Sequence, residues 1–346
     1  MGGAERLVRG LHLGLLEEGV ESRVLGLERH EDDAMDHAVT LGLASSKSVK
    51  AFLGIKNYLK NHCQEGDIVH AHLFPSNLYC GFLHKYAKGP LVTTEHSTSN
   101  RRRGTMRGRV MDGLIYKAYD RIACISEGTE RALVSWMTSC EGKTQVVRNG
   151  TKLHFDHFFE REASDCPVVI SVGRLVVAKN YEVALKAVSL LGDIPFEYWI
   201  VGEGEERLKL ERLIRELDLA DRVKLLGYVA DPIELLKQAD LFLIPSLWEG
   251  FGLAAVEAMN AGLPIVASDV DGLREVVGVD GECGMLVDPQ SSKIMAEALG
   301  RYLNIPDLRQ IHGAKAHQRS QQFSEIKIIN NYVRFYREIQ QINDGS

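Results

Sequence analysis

The sequence predicts an α/β protein of two doubly wound units. Helix-like and strand-like runs alternate from end to end, the pattern of strands laid parallel with helices between them. The chain has 346 residues, enough for two domains that each bury a core. The periodic pattern lapses once, between Gly150 and Pro167, where His, Phe and acidic residues replace it.

In the first half, a helix is expected over Gly3–Gly19, then a strand over Glu21–Leu27. Helix Lys47–Cys63, strand Asp67–Leu73 and helix Ser76–Ala87 follow, then strand Leu91–Glu95 and a polar basic segment. Helix Arg107–Tyr119, strand Arg121–Ile125, helix Gly128–Met137 and strand Thr144–Val147 complete that unit. In the second half, short apolar runs bounded by turn residues predict strands at Val168–Val172, Glu197–Val201, Val223–Leu226, Leu241–Ile244, Ile265–Ala267 and Met285–Val287, with amphipathic helices between them. Phe323–Ile342 reads as one long helix with an apolar stripe of Ile326, Ile329, Val333, Tyr336 and Ile339. Ligands of such sheets bind at the carboxyl ends of strands, so a cleft between the units is the expected site.

Composition narrows the class. With 45% hydrophobic and 25% charged residues the chain reads as globular. No apolar run is long enough to span a bilayer and no secretory signal pattern opens the sequence, so a cytoplasmic protein is expected. The six cysteines lie far apart without a C-x-x-C pair, which suits reduced thiols rather than disulfides or zinc. The net charge of −6 divides unevenly, +3 over residues 1–150 and −9 over 151–346. A basic first half fits a surface meeting phosphates or anionic lipid heads, as well as an uneven solvated face. It lacks the density of a nucleic-acid binder.

The most informative stretch runs from Pro245 to Pro264, where Glu249 and Glu257 flank a Gly-rich strand-to-helix turn. Gly250 and Gly252 allow close backbone approach, and the N–H groups of Gly252, Leu253 and Ala254 open a helix suited to phosphate. At the helical rise the two carboxylates stand about 10 Å apart, a separation that suits two hydroxyl-bearing parts of one extended ligand. Arg174 and Lys179 follow the strand Val168–Val172 and could stabilise charge growing on a diphosphate; the plain alternative is a solvated basic loop.

This block resembles the E-x7-E signature of the retaining family 4 glycosyltransferases, which have the GT-B fold. The likeness continues in Ser171-Val-Gly-Arg174-Leu-Val-Val-Ala-Lys179-Asn, Val201-Gly-Glu-Gly204, Leu226-Gly-Tyr-Val229, Ser268–Val277 and Gly284–Pro289, in the family's order. It implies an acceptor-side domain over 1–160, a nucleotide-sugar domain over 161–322, and a helix over 323–346 that crosses back to the first domain. The activity implied is metal-independent, retaining transfer from a nucleoside-diphosphate sugar to a glycan or lipid-linked acceptor, in polysaccharide or glycoconjugate biosynthesis. No cofactor beyond the donor substrate is called for. Peripheral contact with a membrane's inner face through the basic first domain is compatible with it. A degenerate sugar-nucleotide-binding subunit and a sugar-nucleotide epimerase of the same fold are the alternatives.

By this resemblance Arg174 and Lys179 hold the leaving diphosphate, Glu249 a hydroxyl of the donor sugar and Glu257 the ribose. Gly202, Gly204, Tyr228 and Val229 enclose the base, while Gly252, Leu253 and Ala254 meet phosphate. His96, at the end of Leu91–Glu95, matches a position near the donor sugar, although a lone His there is as readily structural. Gly3 falls in the family's N-terminal Gly-rich turn. Family members reach that turn after a short strand, whereas this sequence begins at Met1-Gly-Gly, so a first strand is expected to be missing by truncation. His70 and His72 share a strand face without a third ligand at metal-binding spacing, and Asp269-Val-Asp271 is read as an accidental D-x-D. Arg101–Arg103, Arg107 and Arg109 form either a solvated basic loop or a contact for a phosphorylated or lipid-linked acceptor.

Overall fold

A computed structural model describes residues 3–28, 38–100, 102–162 and 164–344. The chain divides into two compact units, Met1–Asn149 with Glu325–Ser346, and Gly150–Ser324.

The first unit contains, in order, α1 (Gly3–Glu17), β1 (Val24–Glu28), β2 (Ala38–Leu43), α2 (Val49–His62), β3 (Val69–His72) and α3 (Ser76–Phe82). Then come β4 (Leu91–Glu95), α4 (Met106–Lys117), β5 (Arg121–Cys124), α5 (Glu127–Trp136) and β6 (Thr144–Val146). Strands β3 to β6 form a parallel sheet in sequence order, and β1 pairs with β2 in a separate parallel ribbon. Sequence patterning misses β2. Its residues are mostly half-exposed and Gly42 has a φ of 59°, so neither an apolar run nor a clean alternation marks it.

The second unit carries β7 (Val168–Val172), α6 (Tyr181–Ser189), β8 (Glu197–Val201), α7 (Arg207–Glu216), β9 (Val223–Gly227), α8 (Ile233–Gln238) and β10 (Leu241–Ile244). It continues through α9 (Leu253–Asn260), β11 (Ile265–Ser268), α10 (Asp271–Val277), β12 (Gly284–Val287), α11 (Ser292–Asn304) and α12 (Pro306–Ser320). Its six parallel strands lie in the order β12-β11-β10-β7-β8-β9. All of β10 and β11 is buried, because helices cover both faces of a parallel sheet; that is why these strands read as continuous apolar runs. The order reverses direction between β7 and β10, and the carboxyl ends at such a switch leave a crevice for a ligand.

The passage between units falls at Asn149, earlier than the expected 160, because the intervening residues are fastened to the second unit. Asn260 Oδ1 accepts from the backbone N–H of His154 (2.8 Å) and Phe155 (3.0 Å). Arg161 donates to the carbonyls of Gly262 and Ala261, at 3.0 and 2.6 Å.

A last helix, α13 (Glu325–Asp344), returns to the first unit and packs on α1. Leu7, Leu11 and Leu15 of α1 share a core with Val92, Ala123 and Val147 and with Ile328, Tyr332, Val333, Phe335 and Ile339 of α13. Gly10 and Gly14 let the helices approach: a Cβ on either would stand 2.1 Å from Glu325 Oε1 or Ile329 Cδ1. The buried face is rotated from the expected stripe. Ile326 is exposed, and Tyr332 and Phe335 are fully buried in its stead, since the helix packs over the inner strands β4 and β5 as well as on α1.

Candidate active site

Beside the switch point of the second unit, the turns after β7 and β8 interlock through their backbones. Gly173 N–H donates to Val201 O (2.9 Å) and Leu175 N–H to Glu203 O (2.9 Å). Gly202 has a φ of 147°, and a Cβ there would lie 2.0 Å from Gly173 O; a Cβ on Gly204 would lie 2.3 Å from Leu175 O. Both glycines are thus demanded by the approach of the β7 and β8 turns. Tyr228, just past β9, projects into solvent, and Val229 beside it is half-buried.

The turn after β7 presents the two cations. Arg174 is exposed, and its guanidinium has no hydrogen-bond or ion-pair partner among the described residues. Lys179 ends a short 3-10 turn and is followed by Asn180 in the left-handed region, φ 54°. Asparagine tolerates that backbone, and its Nδ2 donates to Pro245 O (3.0 Å) and Pro289 O (2.8 Å). Leu247 N–H adds a bond to Ala178 O (2.9 Å), so the β7 turn is pinned to the loop after β10.

That pinning sets Lys179 Nζ 2.6 Å from Glu249 Oε2, with the Ser246 hydroxyl 3.3 Å from the same oxygen. The two side chains are 21% and 19% exposed, a partly shielded pair. At the start of α9, Gly252 has a φ of 104°. Its carbonyl accepts from Ala255 N–H (2.9 Å) and Val256 N–H (3.2 Å), while the Leu253 and Ala254 amides have no partner among the described residues. Glu257 lies one turn further in, 5% exposed, and accepts from Thr151 Oγ1 at 3.3 Å. On the neighbouring loop, Asp269 is held by Arg274 through bonds of 2.5 and 2.9 Å, which depress its pKa; Asp271 lies 4.0 Å from the same guanidinium.

The first unit carries His96, at the end of β4. Its Nε2 lies 3.2 Å from His72 Nδ1, and the His72 ring lies 4.0 Å from that of His70. His70 Nδ1 bonds the Tyr336 hydroxyl (2.7 Å) and its Nε2 the Thr94 hydroxyl (2.8 Å). Burial lowers the pKa of His70 to about 3 and of His96 to about 4, and drives that of His72 well down, so all three are neutral at pH 7. His70 has both ring nitrogens committed to hydroxyls. Gly3 is the first residue of α1.

Two arginines of the basic stretch, Arg102 and Arg103, depart from both expectations. Arg102 Nε donates to Asp112 Oδ1 (2.7 Å), whose other oxygen takes Trp136 Nε1 (3.0 Å), and its guanidinium stacks on Phe74. Arg103 is largely buried beside Glu95 and donates to the carbonyls of Ser97 (3.2 Å) and Thr98 (2.6 Å). Glu95 also accepts from the Tyr116 hydroxyl. Arg102 and Arg103 therefore shape the loop after β4 rather than face solvent or a ligand. Arg107 and Arg109 do point outward, and Arg101 lies outside the described residues.

The structure thus gathers Arg174, Lys179, Glu249, Gly252, Leu253, Ala254 and Glu257 around one switch point, with Gly202 and Gly204 bracing it. Sequence reasoning missed Asn180, Ser246 and Thr151, and weighed His72 only as a metal ligand, not as the neighbour of His96. An Asn directly after the basic residue of a strand-end turn was the available signal for Asn180; Ser246 reaches Glu249 only three residues on, and Thr151 touches Glu257 across the fold.

Residues 1–155 match the family model described as Glycosyltransferase Family 4, and residues 154–319 the model described as Glycosyl transferases group 1. The chain is 28% identical to the N-acetylgalactosamine-N,N'-diacetylbacillosaminyl-diphospho-undecaprenol 4-alpha-N-acetylgalactosaminyltransferase of Campylobacter jejuni, over 64% of this chain and 61% of that protein. Sucrose-phosphate synthase from Thermosynechococcus elongatus superposes with a TM-score of 0.85 at 24% identity, covering 100% of this chain and 94% of the other. Anabaena HepE, solved in complex with UDP and glucose, gives a TM-score of 0.83 at 20% identity over 97% and 96% of the two chains. These likenesses give the fold, GT-B.

Proposed function

The chain belongs to the family 4, group 1 glycosyltransferases, and from that premise we propose that it transfers a sugar, with retention, from a nucleoside-diphosphate sugar to a hydroxyl of a glycan or lipid-linked acceptor. The observation that carries the reading is the set of positive groups at the switch point: the Arg174 guanidinium and the Leu253 and Ala254 amides, which have no partner among the described residues, and Lys179, paired with Glu249 at 2.6 Å. As the bond from the anomeric carbon to the diphosphate oxygen breaks, negative charge grows on the leaving group, and preorganised donors stabilise it. The acceptor oxygen attacks from the same face, and its proton passes to the leaving phosphate. No protein nucleophile is required.

Lys179 and Glu249 then have separate tasks. The incoming diphosphate draws Lys179, and Glu249 accepts from a donor-sugar hydroxyl, so the pair keeps both groups in position before the donor arrives. Glu257 accepts from the ribose hydroxyls, and Tyr228, Val229, Gly202 and Gly204 border the base. His96, neutral, offers a hydrogen bond to a sugar hydroxyl rather than a charge. The acceptor kind is supported by the Campylobacter relative, which acts on a diphospho-undecaprenol-linked sugar, and the donor kind by HepE with its UDP and glucose.

The test is turnover with a panel of nucleoside-diphosphate sugars and glycan or lipid-linked acceptors, with the anomeric configuration of the product read by NMR. Transfer with inversion, or donor epimerisation that needs no acceptor, would overturn the reading. Two further results are expected. Activity survives exhaustive chelation, since protein cations and amides perform the charge stabilisation; loss restored only by manganese or magnesium would return attention to Asp269 and Asp271. Glu257→Gln weakens binding of the donor's nucleoside diphosphate about tenfold, the worth of one charge-assisted hydrogen bond, by titration calorimetry. It also loses the preference for ribose over its deoxy forms; unchanged discrimination would place the ribose elsewhere.

A further inference from the structure

Strands β3 and β4 pair with His70 opposite Val92 and His72 opposite Thr94, and each histidine reaches the residue two places beyond its opposite. His70 meets Thr94 in this way. Its Nε2 bonds the Thr94 hydroxyl and its Nδ1 the Tyr336 hydroxyl of α13, which leaves that ring no free nitrogen. His72 meets His96, Nδ1 to Nε2 at 3.2 Å, and the fixed His70 ring backs the His72 ring at 4.0 Å. Two nitrogens of the pair, His96 Nδ1 and His72 Nε2, have no partner among the described residues. Burial keeps both rings neutral at pH 7, so each carries one N–H and the two share a single proton on the line between them. The outer nitrogens therefore stand in opposite states, one N–H and one bare.

We infer that His72 is the positioning residue of His96: it accepts from His96 Nε2–H and so leaves His96 Nδ1 bare, to accept in turn from a sugar hydroxyl. The direction follows from the rings themselves. In a free neutral histidine the Nε2–H form is the more stable one, and this arrangement gives both rings that form, whereas the reverse puts both in the less stable form. A bare Nδ1 meets a hydroxyl but not a carbonyl or ether oxygen, because those have no proton to give. His72 thus acts through His96 and needs no contact with the sugar. That the hydroxyl belongs to a sugar rests on the transferase reading; the pairing itself is a property of the first unit.

The experiment joins nitrogen NMR of the full chain, carrying isotope-labelled histidine, to steady-state kinetics with an accepted donor. Both His72 and His96 are expected at pH 7 as Nε2–H with a bare Nδ1. His72→Gln, whose amide reaches past the Nδ1 place, and His72→Phe, which has no acceptor, release His96 to a mixture of tautomers. Each lowers kcat/KM about tenfold, the loss of one ordering hydrogen bond. His72→Asn, whose amide oxygen can stand where Nδ1 did, restores the single tautomer and most of the activity. His96→Ala loses at least as much as His72→Gln, and combining the two lowers kcat/KM no further. Thermal unfolding reports that each variant folds, and the second breaking variant serves if the first does not. A protonated Nδ1 on His96, a tautomer indifferent to His72, no rescue by Asn, or losses that add in the double variant would each overturn the proposal. The NMR arm needs no substrate, so a chain with these tautomers that transfers no sugar would refute the transferase reading and uphold the pairing.

Discussion

Changing Arg174 and Lys179 together to alanine is expected to lower turnover at least about a thousandfold while leaving thermal unfolding unchanged. Removal of a single preorganised charge-stabilising group costs on the order of 100- to 1000-fold. Arg174 is exposed, and Lys179 contributes to no apolar core, so the fold has little to lose. The singles should differ in kind. Arg174→Ala removes only a contact to the leaving group and lowers kcat. Lys179→Ala also leaves Glu249 without the cation 2.6 Å away, so an unpaired carboxylate repels the incoming diphosphate and KM rises as well. Adding Glu249→Ala to Lys179→Ala should relieve that repulsion and restore part of KM without restoring kcat. Steady-state kinetics over a donor titration reads both parameters, and a double variant with parental turnover would remove the diphosphate from this site.

Gly202→Ala should destabilise the second unit by about 3 kcal/mol, a large effect for one methyl group. Two independent causes act together. The backbone at φ 147° is one that side-chain-bearing residues rarely adopt, and the new Cβ would fall 2.0 Å from the carbonyl oxygen of Gly173. That oxygen belongs to backbone, which cannot swing aside as a flexible side chain does. Relief requires the β7 and β8 turns to separate, carrying Arg174 with them, so donor affinity should fall with stability. Urea denaturation measures the first and calorimetric titration the second. Gly192→Ala offers the contrast: its φ is also positive, at 60°, but nothing lies within 4 Å of the added methyl. It should cost only the backbone strain, about 1 kcal/mol.

How far the sequence could be read depended on what each residue answers to. The second unit's strands were legible nearly to the residue, as at Val168–Val172 and Leu241–Ile244, because burial on both faces forces an unbroken apolar run. Strand β2 was not, since a half-exposed ribbon makes no such demand. The residues around the switch point were legible as strand-end turns with glycines. The 2.6 Å pairing of Lys179 with Glu249 was not, because it joins positions 70 apart in sequence through a bridge made by Asn180. Arg102 and Arg103 show the same limit from the other side: a run of arginines reads as solvated until Asp112 and Glu95 are found to face it. In α13 a helical period was plain, but Tyr332 and Phe335, rather than Ile326, take the deepest places because two surfaces, not one, meet that helix.

The return of α13 to α1 also orders events during synthesis. The second unit is one unbroken stretch, Gly150–Ser324, so every piece of it exists before α13 has been made. The first unit is begun earliest and finished last. Until Ile328, Tyr332 and Phe335 leave the ribosome, Leu7, Leu11 and Leu15 and the sheet residues Val92 and Ala123 lack half of the core that buries them. At roughly 5 to 20 residues per second, that interval lasts on the order of ten seconds or more. For that time the nascent chain pairs a completed domain with an open apolar surface, the kind that chaperones hold and that neighbouring chains aggregate through. A pause in translation downstream of Ser324 would lengthen this exposure, whereas one between Asn149 and β7 would add to it without costing the second unit anything.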